Sequence, residues 1–171
     1  MKQTLSLKII LALISAGGLL LLTAPTRADV PYHISGTLKV TKVTDGDSLR
    51  SGKLQIRLFG VDAPEAKQLC NDDRGAEWHC GTAARDALRV IINAANIIEC
   101  NLIDVDRYGR LVMRCFANGN DIAATLTRSG YALAYRKYSK AYIDDEAAAR
   151  HAKAGIWNGA FIPPWDWRRK Q

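Results

Sequence analysis

The sequence predicts an α+β domain behind a short N-terminal segment of a different kind. Three observations carry this prediction. β-Branched and alternating residues fill 36–60 and return over 97–116, apolar residues recur at helical spacing over 81–96, and two more helical stretches follow the last strand. Strands followed by helices, with one helix inserted between strands, are typical of α+β domains. No internal repeat or low-complexity linker divides this part, which favours one domain.

Residues 1–28 have the composition of a secretory signal peptide. Lys2 and Lys8 give a basic start, residues 9–22 are nearly all apolar, and Ala28 ends a segment of small residues. This order of parts predicts export with cleavage after Ala28. An uncleaved membrane anchor is the alternative, but the apolar run is shorter than the roughly 20 residues that a spanning helix needs.

Cleavage would leave residues 29–171 as a single domain, with a core over about 37–158 and an irregular C-terminal tail. Taking Lys2, Lys8 and Arg27 from the 24 lysines and arginines leaves 21 against 17 acidic residues, a net charge of +4. A modest positive charge suits a polyanionic partner without demonstrating one.

The first predicted elements are strands. Residues 37–43 are rich in β-branched side chains, Asp45-Gly46-Asp47 has the composition of a tight turn, and residues 54–58 alternate. Helix starts are indicated by Thr82 and Asp121, and helix ends by glycines. The later elements are predicted as helices over 81–96, 121–130 and 143–153 and strands over 97–103 and 111–116.

The four cysteines, Cys70, Cys80, Cys100 and Cys115, all follow the predicted signal. In an oxidising compartment an even number of cysteines favours disulfides, and four allow three connectivities. A zinc site is the alternative, but the spacing contains no Cys-x-x-Cys pair. We favour Cys70–Cys80 and Cys100–Cys115.

The second pairing has a geometric argument. Cys100 and Cys115 flank residues 107–108 at equal distance, so a hairpin centred there sets them opposite each other. The same register places Leu102 beside Met113, as strand alternation requires.

Two short segments carry carboxylates and an arginine that point to chemistry. Asp45-Gly46-Asp47 sets two carboxylates on a turn, although such a turn is also common without function. Arg57 lies inside an apolar strand, where a charge is costly to bury without a partner, and Asp62 and Glu65 follow. A structural ion pair is the alternative for this second segment.

Two further segments carry cations and aromatic residues. Asp106-Arg107-Tyr108-Gly109-Arg110 is a polar connection, and Tyr135-Arg136-Lys137-Tyr138 interleaves aromatic and basic side chains. Such interleaving suits base stacking and phosphate contact. It also suits an ordinary amphipathic surface.

Together, in this order and spacing, these segments resemble the staphylococcal nuclease family from about Lys39 to Trp157. The resemblance implies a small five-stranded OB-fold-like β-barrel with three α-helices. The cysteines and the tryptophan-rich tail are additions to the family pattern, and the 104–110 connection is shorter than in its best-known member.

The resemblance also implies a calcium site. Its ligands would be the carboxylates of Asp47 and Asp62 and the carbonyl of Ala63, with Asp45 acting through water. Calcium prefers six to eight oxygens, so water and substrate phosphate must supply the rest, and the site should be weak.

The resemblance assigns the remaining roles as follows. Glu65 would be the general base, and the guanidiniums of Arg57 and Arg110 would bind the charge that develops on phosphorus. Substrate contacts would come from Arg107, Tyr108 and one or both of Tyr135 and Tyr138.

The implied function is an exported, monomeric, calcium-dependent endonuclease of the periplasm or medium. It would hydrolyse DNA and RNA to 3′-phosphate ends. Two alternatives remain: a catalytically silent nucleic-acid-binding module of the same fold, and an accessory protein that handles a phosphate-bearing surface polymer.

Overall fold

The computed structural model describes residues 34–171, and the predicted signal peptide lies outside this range. The strands are β1 (Ser35–Thr37), β2 (Lys42–Asp45), β3 (Ser48–Ser51), β4 (Leu54–Leu58), β5 (Val61–Asp62), β6 (Cys70–Asn71), β7 (Glu77–Trp78), β8 (Ile98–Val105), β9 (Leu111–Ala117), β10 (Asn120–Asp121) and β11 (Leu133–Ala134). The helices are α1 (Cys80–Ala94), α2 (Ile122–Arg128), α3 (Ile143–His151) and α4 (Pro164–Arg169). Within residues 34–171, no helix has the length and apolar character needed to cross a membrane.

The main sheet follows the order β1-β8-β9-β4-β3-β2, with β10 added to β9. Strands β4, β8 and β9 lie where strands were predicted over 54–58, 97–103 and 111–116, whereas the strand predicted over 37–43 is divided between β1 and β2. The β4–β9 pair is parallel and the other pairs are antiparallel. The α+β prediction is therefore confirmed.

Chain connectivity curves this sheet into a barrel. Six strands about 4.8 Å apart would place β1 and β2 about 24 Å apart in a flat sheet. Yet residues 38–41 alone join β1 to β2, and the chain from Thr37 to Lys42 reaches at most about 18 Å. The two edges must approach each other, so the sheet wraps around its inner face.

The inner face of the barrel packs against α1 and α2 in one hydrophobic core. Leu49, Ile56 and Leu58 from the strands meet Leu88 of α1 and Leu126 of α2, all nearly inaccessible to solvent. A second, smaller cluster is built on Cys70, Cys80, Leu133 and Ile156, with Trp78, Trp157, Phe161 and Trp165 packed against it. Part of the C-terminal tail therefore belongs to a hydrophobic core.

Both disulfides form as predicted. Cys70 pairs with Cys80 and Cys100 with Cys115. Cys100 and Cys115 are direct partners in the β8–β9 ladder, and Leu102 is opposite Met113 in the same register. The hairpin prediction is confirmed at the level of individual residue pairs.

The tail differs from the irregular segment that was expected. After a 3-10 turn over Gly155–Asn158, the chain forms the additional helix α4. Pro164 stands at its first position and Asp166 in its first turn. Proline is favoured at a helix start because its missing N–H has no intrahelical partner there, and an acidic residue interacts favourably with the positive end of the helix dipole.

Candidate active site

The turn between β2 and β3 places the first two acidic residues. Asp47 is buried, and its backbone N–H donates to Asp45 Oδ1 at 3.3 Å. A Cβ on Gly46 would stand 2.7 Å from the Cβ atoms of both Ala63 and Ala84. Only glycine therefore lets this turn press against α1 and against the segment that follows β5.

Arg57 bridges two buried carboxylates. Its Nη1 donates to Asp47 Oδ1 at 2.6 Å and its Nη2 to Asp62 Oδ1 at 2.5 Å. The Arg57 side chain is 16% exposed and that of Asp62 is fully buried. Both ends of the planar guanidinium are thus used, an arrangement that a single ammonium group does not reproduce.

Burial has the largest effect on the pKa values of the two aspartates in this group. It raises the pKa of Asp47 to about 6, against the lowering effect of Arg57, and it also raises the pKa of Asp62. For Arg57, burial alone would lower the pKa, but the two carboxylates raise it. The arginine is held as a cation, and the two carboxylates are destabilised as anions in the absence of further positive charge.

Ala63 lies directly against the turn. Its backbone N–H donates to Asp47 Oδ2 at 2.8 Å, and Ser48 Oγ donates to Asp47 Oδ1 at 3.0 Å. The predicted ligands Asp47, Asp62 and Ala63 are therefore brought together, with Asp45 on the same turn.

The donor set suits calcium chemically, since carboxylate and carbonyl oxygens are the ligands that this hard cation prefers. Among residues 34–171, no three acidic, histidine or cysteine side chains converge as a ready metal cage. The protein would thus supply two carboxylates and a backbone carbonyl, which agrees with the weak site expected from the sequence.

Glu65 follows β5 on a segment held against the start of α1. Its backbone N–H donates to the buried Gln68 side chain at 3.2 Å. A Cβ on Gly81 would stand 1.7 Å from the Glu65 carbonyl oxygen, so the two backbones touch. The Glu65 side chain remains 29% exposed and ion-pairs with Arg168. Glu65 therefore has a backbone that is fixed by packing and a carboxylate that solvent reaches.

Arg110 ends the connection between β8 and β9. Its backbone N–H donates to Asp106 Oδ1 at 3.0 Å and its Nε to Asp106 Oδ2 at 2.7 Å. Partial burial alone would raise the pKa of Asp106, but hydrogen bonds from Arg110 and Tyr108 lower it. Because these partners are four residues apart or fewer, the loop orients Arg110 locally.

The parallel β4–β9 pair places Arg110 near the β2–β3 turn. Arg57 is paired with Val112, so Arg110 lies one strand away and two positions toward the N-terminus. A cavity of about 240 Å³ is lined by both Asp45 and Arg110. The structure thus brings Arg110 to the same cavity as Asp45, and its side chain pairs with Asp106 rather than with the Asp47–Arg57–Asp62 group.

Two of the other predicted substrate residues, Arg107 and Tyr135, line a second cleft of about 620 Å³. Its lining residues are Arg107, Ala134, Tyr135, Arg136, Lys137, Trp165, Arg168 and Arg169. The Tyr138 ring packs edge-on against Tyr135 at 4.9 Å. Tyr108 is 67% exposed, and its ring lies under the guanidiniums of Arg107 and Arg110.

Sequence reasoning missed the contribution of α4 to this region. Arg168 reaches Asp62 and Glu65, and Trp165 stacks on Tyr135 at 5.5 Å between ring centroids. Pro164 and Asp166 are local signals that would have identified the helix. No local sequence signal indicates that the Arg168 side chain reaches Asp62 and Glu65.

Several known proteins are similar to this chain in sequence. A family model described as staphylococcal nuclease homologue matches residues 55–159. "Succinoglycan biosynthesis protein ExoI" of Rhizobium meliloti is 38% identical over 67% of this chain, and the match spans 61% of that protein. An "uncharacterized endonuclease" of Escherichia coli O157:H7 is 31% identical, covering 78% of this chain and 85% of its own length.

A third relative, the "probable staphylococcal-like nuclease CAN2" of Oryza sativa subsp. japonica, is 31% identical over 78% of this chain. The match spans only 34% of the rice protein, so the similarity there concerns one part of a longer chain. The family model covers well over half of residues 1–171, and the Escherichia coli relative matches over most of its own length. The chain belongs to the staphylococcal nuclease family.

Proposed function

We propose that this protein is an exported, calcium-dependent endonuclease that hydrolyses phosphodiester bonds of DNA and RNA and leaves 3′-phosphate ends. The observation that carries the proposal is the Asp47–Arg57–Asp62 group, to which Glu65 is linked through Arg168. The nuclease names of the Escherichia coli and rice relatives support the reaction class. Export is supported by the signal-like residues 1–28 and by two disulfides, which persist in oxidising compartments.

Asp47, Asp62 and the Ala63 carbonyl are the residues that would hold calcium. Bound there, the cation would withdraw charge from a phosphate oxygen as a Lewis acid. The pKa shifts of the two aspartates agree with this role, because carboxylates that burial destabilises as anions gain most from added positive charge. Asp45 supports the site by accepting the Asp47 N–H and so fixing the turn.

Glu65 would act as the general base. Its partly exposed carboxylate is able to accept a proton from water as that water attacks phosphorus. The bond from phosphorus to the 5′ oxygen then breaks, and that oxygen takes a proton from solvent, which gives a 3′-phosphate and a 5′-hydroxyl. The contacts of the Glu65 backbone with Gln68 and Gly81 hold the base in place.

Arg57 and Arg110 would bind the charge that builds up on the phosphate oxygens. A guanidinium donates two parallel N–H bonds to such oxygens, which supplies both orientation and electrostatic stabilisation. Asp47 and Asp62 preorganise Arg57, and Asp106 preorganises Arg110. Preorganised donors need no reorientation during the reaction.

The cleft beside these groups would bind the rest of the strand. Arg107 and Tyr135 line it, and Tyr108 and Tyr138 contact these two residues. Cations lining a groove track the phosphates of a polynucleotide, and exposed aromatic faces stack on its bases.

A Glu65→Gln variant tests the proposal. It keeps the size and the backbone contacts of Glu65 but removes the base, so we expect cleavage to fall by about 10² to 10⁴ while oligonucleotide binding persists. Cleavage of plasmid DNA, denatured DNA and RNA is measured in millimolar calcium and again with chelator. The matched control is Glu77→Gln, an exposed glutamate on β7.

Each result has a defined meaning. If Glu65→Gln loses calcium-dependent cleavage and Glu77→Gln keeps it, the result supports the proposed enzymatic function. Binding without cleavage by the wild-type protein would instead establish the silent binding module. Neither binding nor cleavage would point to a ligand other than nucleic acid.

A further inference from the structure

The side chain of Arg168 enters the candidate active site from α4. Its Nη2 donates to Asp62 Oδ2 at 2.7 Å and its Nη1 to Asp62 Oδ1 at 3.0 Å. The same Nη1 also donates to Glu65 Oε1. One guanidinium from the C-terminus therefore engages both a proposed calcium ligand and the proposed general base.

These contacts cover Asp62 completely. Oδ1 accepts from both Arg57 and Arg168, and Oδ2 accepts from Arg168. Arg57 is 16% exposed and Arg168 is 36% exposed, so Arg168 is the more solvent-accessible of the two cations. A cation that arrives from solvent meets Arg168 before it meets the carboxylate.

The rest of the tail holds Arg168 in this position. Gln68 Nε2 donates to the Ile162 carbonyl at 2.6 Å, and Pro164 is buried. One turn before Arg168, Trp165 lies parallel to Tyr135, with an interplanar angle of 5°. Arg168 is thus presented by an anchored helix, which gives its guanidinium a high effective concentration at Asp62.

We propose that Arg168 is a tethered competitor of calcium, so that the docked C-terminal helix sets the calcium concentration at which the site fills. The proposal rests on the calcium site proposed above. Arg57 and Arg168 together fill three of the roughly four acceptor sites of the buried Asp62 carboxylate, and a third cation there would be repelled by both guanidiniums. Calcium binding therefore requires Arg168 to leave Asp62 and, with it, Glu65.

The expected size of the effect follows from population arithmetic. If the competent, undocked state makes up a tenth of the molecules or less, the apparent calcium affinity is lowered about tenfold or more. Linkage is reciprocal, so calcium must weaken the docking of the helix by the same factor.

Calorimetric titration with calcium tests the competition without measuring cleavage. We expect Arg168→Gln to bind calcium about tenfold more tightly than the wild type. The matched control is Arg169→Gln, because Arg169 pairs with Asp166 inside its own helix and its calcium affinity should be unchanged. In the wild type, hydrogen exchange over residues 160–171 should accelerate when calcium is added.

Trp165→Ala provides a second variant that keeps Arg168 but removes the ring stacked on Tyr135. It should shift calcium affinity in the same direction as Arg168→Gln. Equal or weaker calcium binding by both variants, compared with the wild type, would overturn the competition and leave the calcium site intact. An absence of calcium binding in all the proteins would overturn the calcium site itself.

Discussion

Arg57 and Arg110 are proposed for the same task, but the protein supports them in different ways. Arg57 is 16% exposed and is held by two carboxylates, one from the β2–β3 turn and one from β5. Arg110 is 29% exposed and is held by Asp106, four residues away in the same loop. One guanidinium is part of the barrel, and the other belongs to a hairpin end.

Because of this difference, we expect the two arginines to contribute alike to catalysis but unequally to the stability of the fold. The Arg57 bridge ties the β2–β3 turn, β4 and β5 together through buried charges, so its loss leaves the buried Asp47 with neutral donors only and removes one of the two cations at Asp62. The Arg110 contact is local and partly hydrated, and such ion pairs contribute little to folding. Substitution of each arginine should therefore affect activity alike and stability unequally.

The largest effect is expected for Arg57→Lys. Lysine has one point donor where the guanidinium spans two carboxylates, so one of the two buried carboxylates loses its hydrogen bond from residue 57. We expect cleavage to fall by about 10³ or more and the free energy of unfolding to fall by about 1–3 kcal/mol. Urea unfolding and initial rates at saturating calcium measure the two quantities.

The control is Arg114→Lys, which alters an arginine on β9 whose pair with Asp121 lies at the surface. That variant should stay within about 1 kcal/mol of the wild type. If the free energy of unfolding of Arg57→Lys equalled that of the wild type, the buried bridge would not stabilise the barrel.

Arg110→Lys tests the arginine that is supported locally by the hairpin. We expect a similar loss of rate, about 10³, because the fork is again lost. The free energy of unfolding should change by less than about 1 kcal/mol, since the Asp106 pair is partly exposed. The same two measurements apply, and a stability loss equal to that of Arg57→Lys would contradict the division into barrel and hairpin support.

The smallest effect on rate is expected when the hairpin loses its disulfide. In a Cys100→Ser, Cys115→Ser double variant, opening the 15-residue loop should cost about 3 kcal/mol of stability in the chain-entropy model. The β8–β9 ladder still positions Arg110, so cleavage well below the melting temperature should stay within a few-fold of wild type.

Thermal melts and rates of the oxidised proteins check this prediction. The Cys70→Ser, Cys80→Ser pair serves as comparison, because that disulfide lies in the second hydrophobic cluster rather than in the hairpin. A large loss of rate in the Cys100 and Cys115 variant at low temperature would show that the disulfide, rather than the ladder, positions Arg110.

Local pattern made much of the fold predictable. Strand alternation and the spacing around residues 107–108 gave the hairpin register, including the Cys100–Cys115 pair. Helix periodicity located α1, α2 and α3, although each ends a few residues earlier than expected. Barrel closure followed from the family resemblance alone, because alternation does not record which sheet edges meet.

The candidate site was predictable only where short motifs carry it. Asp47, Arg57 and Asp62 lie within 16 positions of one another, and the structure brings them together as expected. The Arg168–Asp62 contact joins residues 106 positions apart. The three consecutive basic residues 168–170 look alike in sequence. Only the docking of α4 determines that Arg168 is the one that reaches the site.

Gly46 has a practical consequence for redesign of this protein. The contacts within 3 Å of a Cβ there are the methyl groups of Ala63 and Ala84, so three small residues interlock the Asp45–Asp47 turn, the segment after β5 and helix α1. A larger side chain at any of the three would push these parts apart. An engineer who wants to reshape the Asp45–Asp47 turn must therefore rebuild the α1 surface and the turn as one unit.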